Sequence, residues 1–194
     1  MNNIPILLFF IYSCFTVNLL LQCGLGIKGA VESKVIFKFS VLINVITIFI
    51  SIILLWLLFS RILFSILPGI YIYILVFPVS FIFYNAIEYL ILRYLIKKEE
   101  KSEGFNFPGG ITAVSVILCM FLANNIMETI VLSFGFTSGL FLVKLIISEI
   151  RKRAALETVP VFLRGIPLVL ITMGMLSLIF TTASLLLFGM IDIR

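Results

Sequence analysis

The stretch IFKFSVLINVITIFISIILLWLLF, residues Ile36–Phe59, decides the fold because it is long, apolar and almost uncharged. Its single charged residue, Lys38, lies near its start. A helix needs about 20 mainly apolar residues to cross a bilayer, and similar runs flank this one on both sides. The sequence therefore predicts an all-α integral membrane protein, a single domain over residues 1–194, with six spans at Ile4–Gln22, Ile36–Phe59, Gly69–Leu92, Ile111–Asn125, Thr129–Ile147 and Pro167–Gly189.

The composition excludes an ordinary soluble domain. Hydrophobic residues make up 62% of the 194 residues, and charged residues make up only 12%. A soluble domain typically carries about 25% charged residues, because its surface must interact with water. The net charge of +5 is not read as a nucleic-acid surface, since the basic residues lie at the predicted membrane edges. The lipid bilayer is the predicted solvent, and nucleic acid is not a predicted partner.

The basic residues also predict the orientation of the chain. Basic connections stay in the cytoplasm during membrane insertion. The side opposite to the first, third and fifth connections carries only Arg61 and Arg194, which places both termini outside. The odd-numbered connections, with the span ends next to them, carry the other twelve Lys and Arg residues, namely Lys28, Lys34, Lys38, Arg93, Lys97, Lys98, Lys101, Lys144, Arg151, Lys152, Arg153 and Arg164.

The fourth and fifth predicted spans share slightly too few residues for two full-length helices. The apolar stretch between Gly110 and Ser148 is 37 residues long, and two full spans of about 20 residues each plus a turn need slightly more. One of the two helices is therefore predicted to be short or broken, at Asn124 and Asn125. Unwound backbone at membrane depth requires cover from protein or from a water-lined cavity. The break thus favours a buried interface over a kink that faces lipid.

Few residues carry recognisable chemistry. The chain has no histidine, the commonest general base and metal ligand. Of its three cysteines, Cys14 and Cys119 lie in apolar helix and are predicted to be packed thiols. Cys23, beside a glycine-rich segment, is the best candidate for an iron–sulfur ligand. Gly24–Gly29 satisfies the dinucleotide pattern G-x-G-x-x-G, but a helix precedes it instead of a strand, so the glycines are interpreted as a break in the first helix.

Two acids and one basic cluster remain open to more than one interpretation. Glu88 lies in the third span and Glu128 near the outer side, and intramembrane acids often have functions. Glu88 is only about a turn from the interface, so a structural hydrogen bond explains it as well as a role in ion movement. The cluster Arg151–Arg153, in the predicted connection 149–165, suits anionic lipid head groups, a soluble partner or a simple positive-inside anchor.

From its third span onward the sequence resembles the RnfA/NqrE family of membrane subunits. The most specific stretch is Glu149–Phe180, EIRKRAALETVPVFLRGIPLVLITMGMLSLIF, which is similar to the family pattern V-P-x-x-x-R-G followed by L/F-I-T-x-G-L-M-x-L-x-F. Ser133–Gly139 resembles the glycine-rich opening of the family's fifth helix. Further matching positions are Glu88 with Arg93 and Tyr94, Asn125 on the Asn of a T-N-C motif, Val17 with Asn18, and Leu25 with Gly26.

This resemblance implies a six-span subunit of an Rnf or sodium-pumping NADH:quinone oxidoreductase complex in the bacterial inner membrane. Such a subunit pairs with a homologous RnfE/NqrD-like subunit of inverted topology. Broken first and fourth helices of each subunit hold a shared [2Fe–2S] cluster that relays electrons. Here, however, the T-N-C cysteine position is Ile126, and the first-helix cysteine position is Lys28. Cys23 lies five residues earlier and substitutes only if the helix register shifts.

Three hypotheses follow from these departures. The leading one is an RnfA/NqrE-like subunit of an ion-translocating electron transport complex, in which any redox chemistry is shared with other subunits and no catalytic residue lies in this chain. The second is an ion or small-solute transporter on the same fold without electron transfer, with Asn125 and Glu128 near the break. The third is a scaffold that holds neighbouring subunits in register.

Overall fold

The computed structural model describes residues 9–23, 39–63, 69–91, 93, 108–156, 160 and 165–192. All regular secondary structure in these ranges is helical, which confirms the predicted all-α class for this part of the chain. The elements in chain order are the π-helical turn π1 (Tyr12–Thr16), α1 (Leu19–Cys23), α2 (Phe39–Leu58), the π-helical turn π2 (Phe59–Leu63), α3 (Gly69–Ile91), α4 (Pro108–Leu122), α5 (Ile126–Leu156) and α6 (Ile166–Asp192).

Within the described residues, four helical segments are long and apolar enough to cross a membrane: Asn44–Ile62, Tyr71–Ile91, Ile126–Ala154 and Ile166–Ala183. The apolar helices Phe9–Leu21 and Gly109–Leu122 are shorter, and they are the two that the sequence predicts to be short or broken. Helix α4 has 15 residues, about 22 Å of helix, against a hydrocarbon core of about 30 Å. The lengths and compositions support a multi-pass membrane protein; the count of six spans and the outside termini stay predictions.

Helix α5 is the longest element, with 31 residues, or about 46 Å of helix. It continues through Glu149–Arg153, residues that were predicted to lie in a connection. Because about 20 residues already span a bilayer, the charged last turns of α5 extend past the apolar region. Gly165 then precedes α6 with a φ of 90°, a left-handed conformation that glycine adopts without steric cost.

The described chain forms two compact units, one of residues 37–137 and one of residues 1–36 with 138–194. In the first, here called the central unit, helices α2, α3 and α4 pack against one another. Tyr73 stacks on Phe121 with ring centroids 5.2 Å apart, and Phe81 lies against Gly109. Because the earlier position on α3 meets the later one on α4, these two helices run antiparallel.

Small hydroxyl side chains fill much of the interior of the central unit. Each buried hydroxyl that bonds within its own helix donates to a carbonyl three or four residues earlier, so no partner on another helix is needed. Small residues of this kind let helices approach closely in a membrane. The hydroxyls that bond in this way belong to Ser51, Ser80, Thr112, Ser115, Thr129, Ser133 and Thr137.

The second unit, here called the terminal unit, joins the first helical segment to the later part of α5 and to α6. Helix α6 contacts both π1 and α1, and Phe15 meets Phe180 edge to face with centroids 5.2 Å apart. Several apolar side chains of α6 are exposed, including Leu170, Met175 and Leu178. An apolar outer surface of this extent suits contact with lipid rather than water. The single-domain organisation over residues 1–194 stays a prediction.

The close packing of α3 and α4 gives a test of the central unit. A Cβ added at Gly109 would lie 2.5 Å from a carbon of the Phe81 ring, whereas one added at the adjacent Gly110 would meet nothing within 4 Å. We expect Gly109→Ala to lower the free energy of unfolding by about 1–3 kcal/mol, the usual cost of overpacking. Gly110→Ala is the matched control and should leave stability unchanged or slightly raised. Equal effects of the two substitutions in a denaturant titration of the purified chain would contradict this packing.

Candidate functional site: two broken helices

The first apolar helix breaks at Val17 and Asn18. Its end is the π-helical turn, in which the Val17 N–H donates to the Tyr12 carbonyl at 3.0 Å. Val17 itself has φ −105° and ψ 55°, outside the helical region. A π-helical turn inside a helix often marks a functional position. The chain resumes as α1 at Leu19, so the interruption is only two residues long.

Asn18 connects the two sides of this break. Its side chain is 2% exposed, and its Nδ2 donates to the Cys14 carbonyl at 3.3 Å. Its Oδ1 accepts from the N–H groups of Leu20 and Leu21 at 3.2 and 3.4 Å, as an N-cap residue does. One amide side chain thus satisfies a carbonyl before the break and two donors after it. From the sequence, Asn18 was noted only as part of a family match, and this role was not predicted.

Gly139 of α5 packs directly against this break within the terminal unit. An added Cβ at Gly139 would lie 2.6 Å from the Cys14 carbonyl oxygen and 3.1 Å from the Asn18 Nδ2. Next to it, the Ser138 hydroxyl donates to the Cys14 sulfur at 3.8 Å. Cys14 is 4% exposed, which agrees with a packed thiol. The second glycine of the SFGFTSG stretch, Gly139, is therefore explained by the close approach of two backbones.

The second break separates α4 from α5 in the central unit. Helix α4 closes with the Ala123 N–H donating to the Cys119 carbonyl at 2.9 Å, and α5 opens with the Thr129 N–H donating to the Asn125 carbonyl at 3.1 Å. Asn124 and Asn125 lie between them and are exposed. The chain thus leaves the helical path at the two residues where the sequence predicts a break.

Glu128 stabilises the start of α5. Its Oε2 accepts from the Asn124 N–H at 2.8 Å, in a variant of the capping box, in which a third-position acid reaches back to the residues before the helix. A negative charge in the first turn also interacts favourably with the helix dipole. This local hydrogen bond accounts for an acid at this position without any movement of ions.

The residues of the second break do not suit an iron–sulfur cluster. Ile126, at the position of the family cysteine, begins α5 and is 43% exposed, and its hydrocarbon side chain has no atom that binds iron. Cys119 is fully buried in α4, with its sulfur 4.0 Å from the Ser133 hydroxyl. Within the described residues no group of three or more His, Cys, Asp or Glu side chains is placed to hold a metal. The Lys28 position and the Cys23 side chain lie outside the described part of the chain.

A third polar position lies in α3. Glu88 is half-buried and is the one charged residue within α3. It shares a helix face with Tyr84, one turn earlier. Tyr84 is 1% exposed, and its hydroxyl has no hydrogen-bond partner within the described structure. Arg93 bonds elsewhere, since its Nη1 donates to the Tyr89 hydroxyl at 3.1 Å. Glu88 was a candidate from the sequence but Tyr84 was not, because an unpaired hydroxyl cannot be recognised before packing is known.

Comparison with known proteins gives one partial match to a membrane-complex subunit. No family model matches the chain. The chain is 39% identical over 59 residues to the A subunit of the ion-translocating oxidoreductase complex of Buchnera aphidicola subsp. Baizongia pistaciae. The match covers 30% of this chain and 30% of that relative. It supports an RnfA-like relationship over that portion.

The dual role of Asn18 gives a test of the first break. We expect Asn18→Leu to lower the free energy of unfolding by about 1–3 kcal/mol, because it leaves buried backbone groups without partners. Asn85→Leu is the matched control, since Asn85 is exposed on α3, and this change should have little effect. Both variants are compared with the parent chain by denaturant titration in detergent. Similar stabilities for Asn18→Leu and the parent would show that the break does not depend on this side chain.

Proposed function

We propose that the chain is an RnfA-like integral membrane subunit of an ion-translocating electron transport complex of the bacterial inner membrane. The observation that carries the proposal is the 39% identity over 59 residues to a subunit of an ion-translocating oxidoreductase complex. The Glu149–Phe180 motif adds to it, since the glycine of its R-G pair, Gly165, has the positive φ that favours glycine. The four long apolar helices fit the membrane setting.

The proposed role includes pairing with a homologous membrane subunit of inverted topology. Asn124 and Asn125 expose polar amides at a helix break, between two apolar helices. Irregular backbone at membrane depth persists only where protein or a water-lined cavity covers it. A neighbouring subunit that packs on this break would provide that cover and would also satisfy the amides.

The proposal does not include electron transfer through this chain. A [2Fe–2S] cluster is held by cysteine thiolates, four in total. The second break offers Ile126 in place of a thiolate, and Cys119 is buried about two turns earlier in α4. The described residues therefore do not fit the cluster that the family resemblance implies. We propose instead that the chain holds its partner subunit in register through its broken helices.

Purification from native membranes tests this role. We expect the tagged chain to bring down at least one further polytopic subunit together with a flavoprotein. The double change Asn124→Leu and Asn125→Leu should weaken this association, whereas Asn85→Leu should not. Iron, acid-labile sulfide and EPR measurements on the complex should be unaffected by Cys23→Ala.

Two outcomes would contradict the proposal. A chain that purifies alone under mild detergent conditions would remove the basis for a complex subunit. A cluster signal that disappears in Cys23→Ala would show that the chain does ligate iron, and the electron-relay role would then be restored.

A second candidate function is ion passage through this subunit. The specific observation in its favour is Tyr84, whose buried hydroxyl has no partner among the described residues and lies one turn from the half-buried Glu88. Buried polar groups are normally satisfied by protein or water, so this pair suits water or a cation within a span. The Glu128 carboxylate is already engaged by the Asn124 N–H and is a weaker candidate.

Cation uptake into proteoliposomes distinguishes the role of Glu88 from that of Glu128. We expect Glu88→Gln to reduce sodium or proton uptake by the reconstituted complex strongly, about tenfold or more, because the amide removes the charge that attracts a cation. Glu128→Gln is the matched control, since its amide oxygen can still accept from the Asn124 N–H. Unchanged uptake in Glu88→Gln would exclude this site.

A further inference from the structure

Lys144 is a cation placed inside an apolar helix. Along α5 it is the one charged residue between Glu128 and Glu149, and it falls within the candidate span Ile126–Ala154. A charged side chain within a span is costly and normally has a partner or a function. The family resemblance and the proposed function do not use Lys144, so its presence needs a separate explanation.

The surroundings of Lys144 offer it no counter-ion in the described part of the chain. Its side chain is partly buried, and its helix neighbours Leu140 and Ile147 are buried and apolar. The nearest acid in sequence, Glu149, accepts from Lys152 at 3.2 Å and pairs with Arg153 at 3.8 Å. Five residues separate Lys144 from Glu149, which places them on nearly opposite faces of the helix.

The face that carries Lys144 leads to the basic end of α5. Ser148, Arg151 and Lys152 follow Lys144 at spacings of four, seven and eight residues, so all of them share one side of the helix. Arg151 lies about 10 Å further along the axis. Residues 144–153 contain four basic residues and one acid, a net charge of +3. Positive charge is thus arranged from inside the apolar region out to its edge.

We propose that Lys144 binds the phosphate of an anionic phospholipid, whose head group lies at the level of Arg151 and Lys152. The depth of Lys144 supports lipid as the source of the phosphate. Lys144 lies about 7 Å from Glu149 along the helix axis, towards the middle of the span. A lysine side chain can extend its ammonium group towards the interface from such a depth. The adjacent Leu145 is 38% exposed and is available to an acyl chain. Basic sites beside membrane helices bind anionic head groups in this way.

Native mass spectrometry of the detergent-purified chain, titrated with dioleoylphosphatidylglycerol, tests the site. We expect Lys144→Met to weaken binding roughly fivefold, the equivalent of about 1 kcal/mol for one basic residue. Dioleoylphosphatidylcholine should bind more weakly to the parent chain and equally to the variant. Arg153→Met is the matched control and should have a smaller effect, because Arg153 lies nine residues after Lys144, on the opposite face of α5. Lys144→Met should also be at least as stable as the parent without added lipid, because it removes an unpaired charge.

Three results would overturn the proposal. Unchanged phosphatidylglycerol binding in Lys144→Met would exclude Lys144 from the site. Competition by glycerol 3-phosphate at equal concentration would identify a site for free phosphate. Loss of a membrane partner in Lys144→Met, with lipid binding intact, would assign the counter-ion to a carboxylate of that partner. The first two results do not depend on whether the chain belongs to an electron transport complex.

Discussion

The structure depends on one constraint, namely that a backbone N–H or carbonyl in a membrane must find a hydrogen-bond partner within the protein. Continuous helices meet this requirement along their length, but the chain interrupts two of its apolar helices. Each interruption is stabilised by a side chain close in sequence. At the first, Asn18 bonds to backbone on both sides; at the second, Glu128 accepts from the Asn124 N–H. Polar residues in this apolar sequence thus have a structural role where the helices end.

The membrane also determines how the helices pack against one another. In lipid, helices gain little from burying apolar surface against one another, so they associate through close contact and local polar bonds. Gly109 has no side chain, so the Phe81 ring packs directly against it between α3 and α4. Gly139 likewise lets the Cys14 backbone pack closely in the terminal unit. Buried serine and threonine hydroxyls bond to carbonyls three or four residues earlier, and Ser80 also donates to the Gly109 carbonyl of α4 at 3.4 Å. Apolar side chains such as Ile74 and Leu178 point outward, the reverse of a soluble fold.

These features bear on function because the residues that shape the helix breaks are not residues that could bind a metal. Two helix breaks lie within the described chain, after Thr16 and after Leu122, and Ile126 at the second break lacks an atom that could bind a metal. The proposed association with a neighbouring subunit would give the exposed amides of Asn124 and Asn125 a hydrogen-bond partner. Two charged residues in the described helices, Glu88 and Lys144, are proposed to bind a ligand within the membrane. Glu88 lies one turn from the Tyr84 hydroxyl, which has no partner among the described residues, and it is the proposed cation site. Lys144 lies towards the basic end of α5 and is the proposed site for an anionic head group. Both assignments follow from the cost of charge in hydrocarbon.

Much of the fold could be predicted from the sequence, because the bilayer acts on each segment separately. Hydrophobic length alone indicated helices that match α2, α3, α5 and α6, and the arithmetic of residues 111–147 indicated the break at Asn124 and Asn125. Only the tertiary structure decided which hydrogen-bond partners the polar side chains have. Nothing in the pattern indicated that Asn18 bonds to both sides of the first break, that Glu128 accepts from Asn124, or that Arg93 bonds to Tyr89 instead of Glu88. Hydropathy depends on residue type along the chain, but a hydrogen bond depends on the direction of a side chain in space, which is set only when the helices pack.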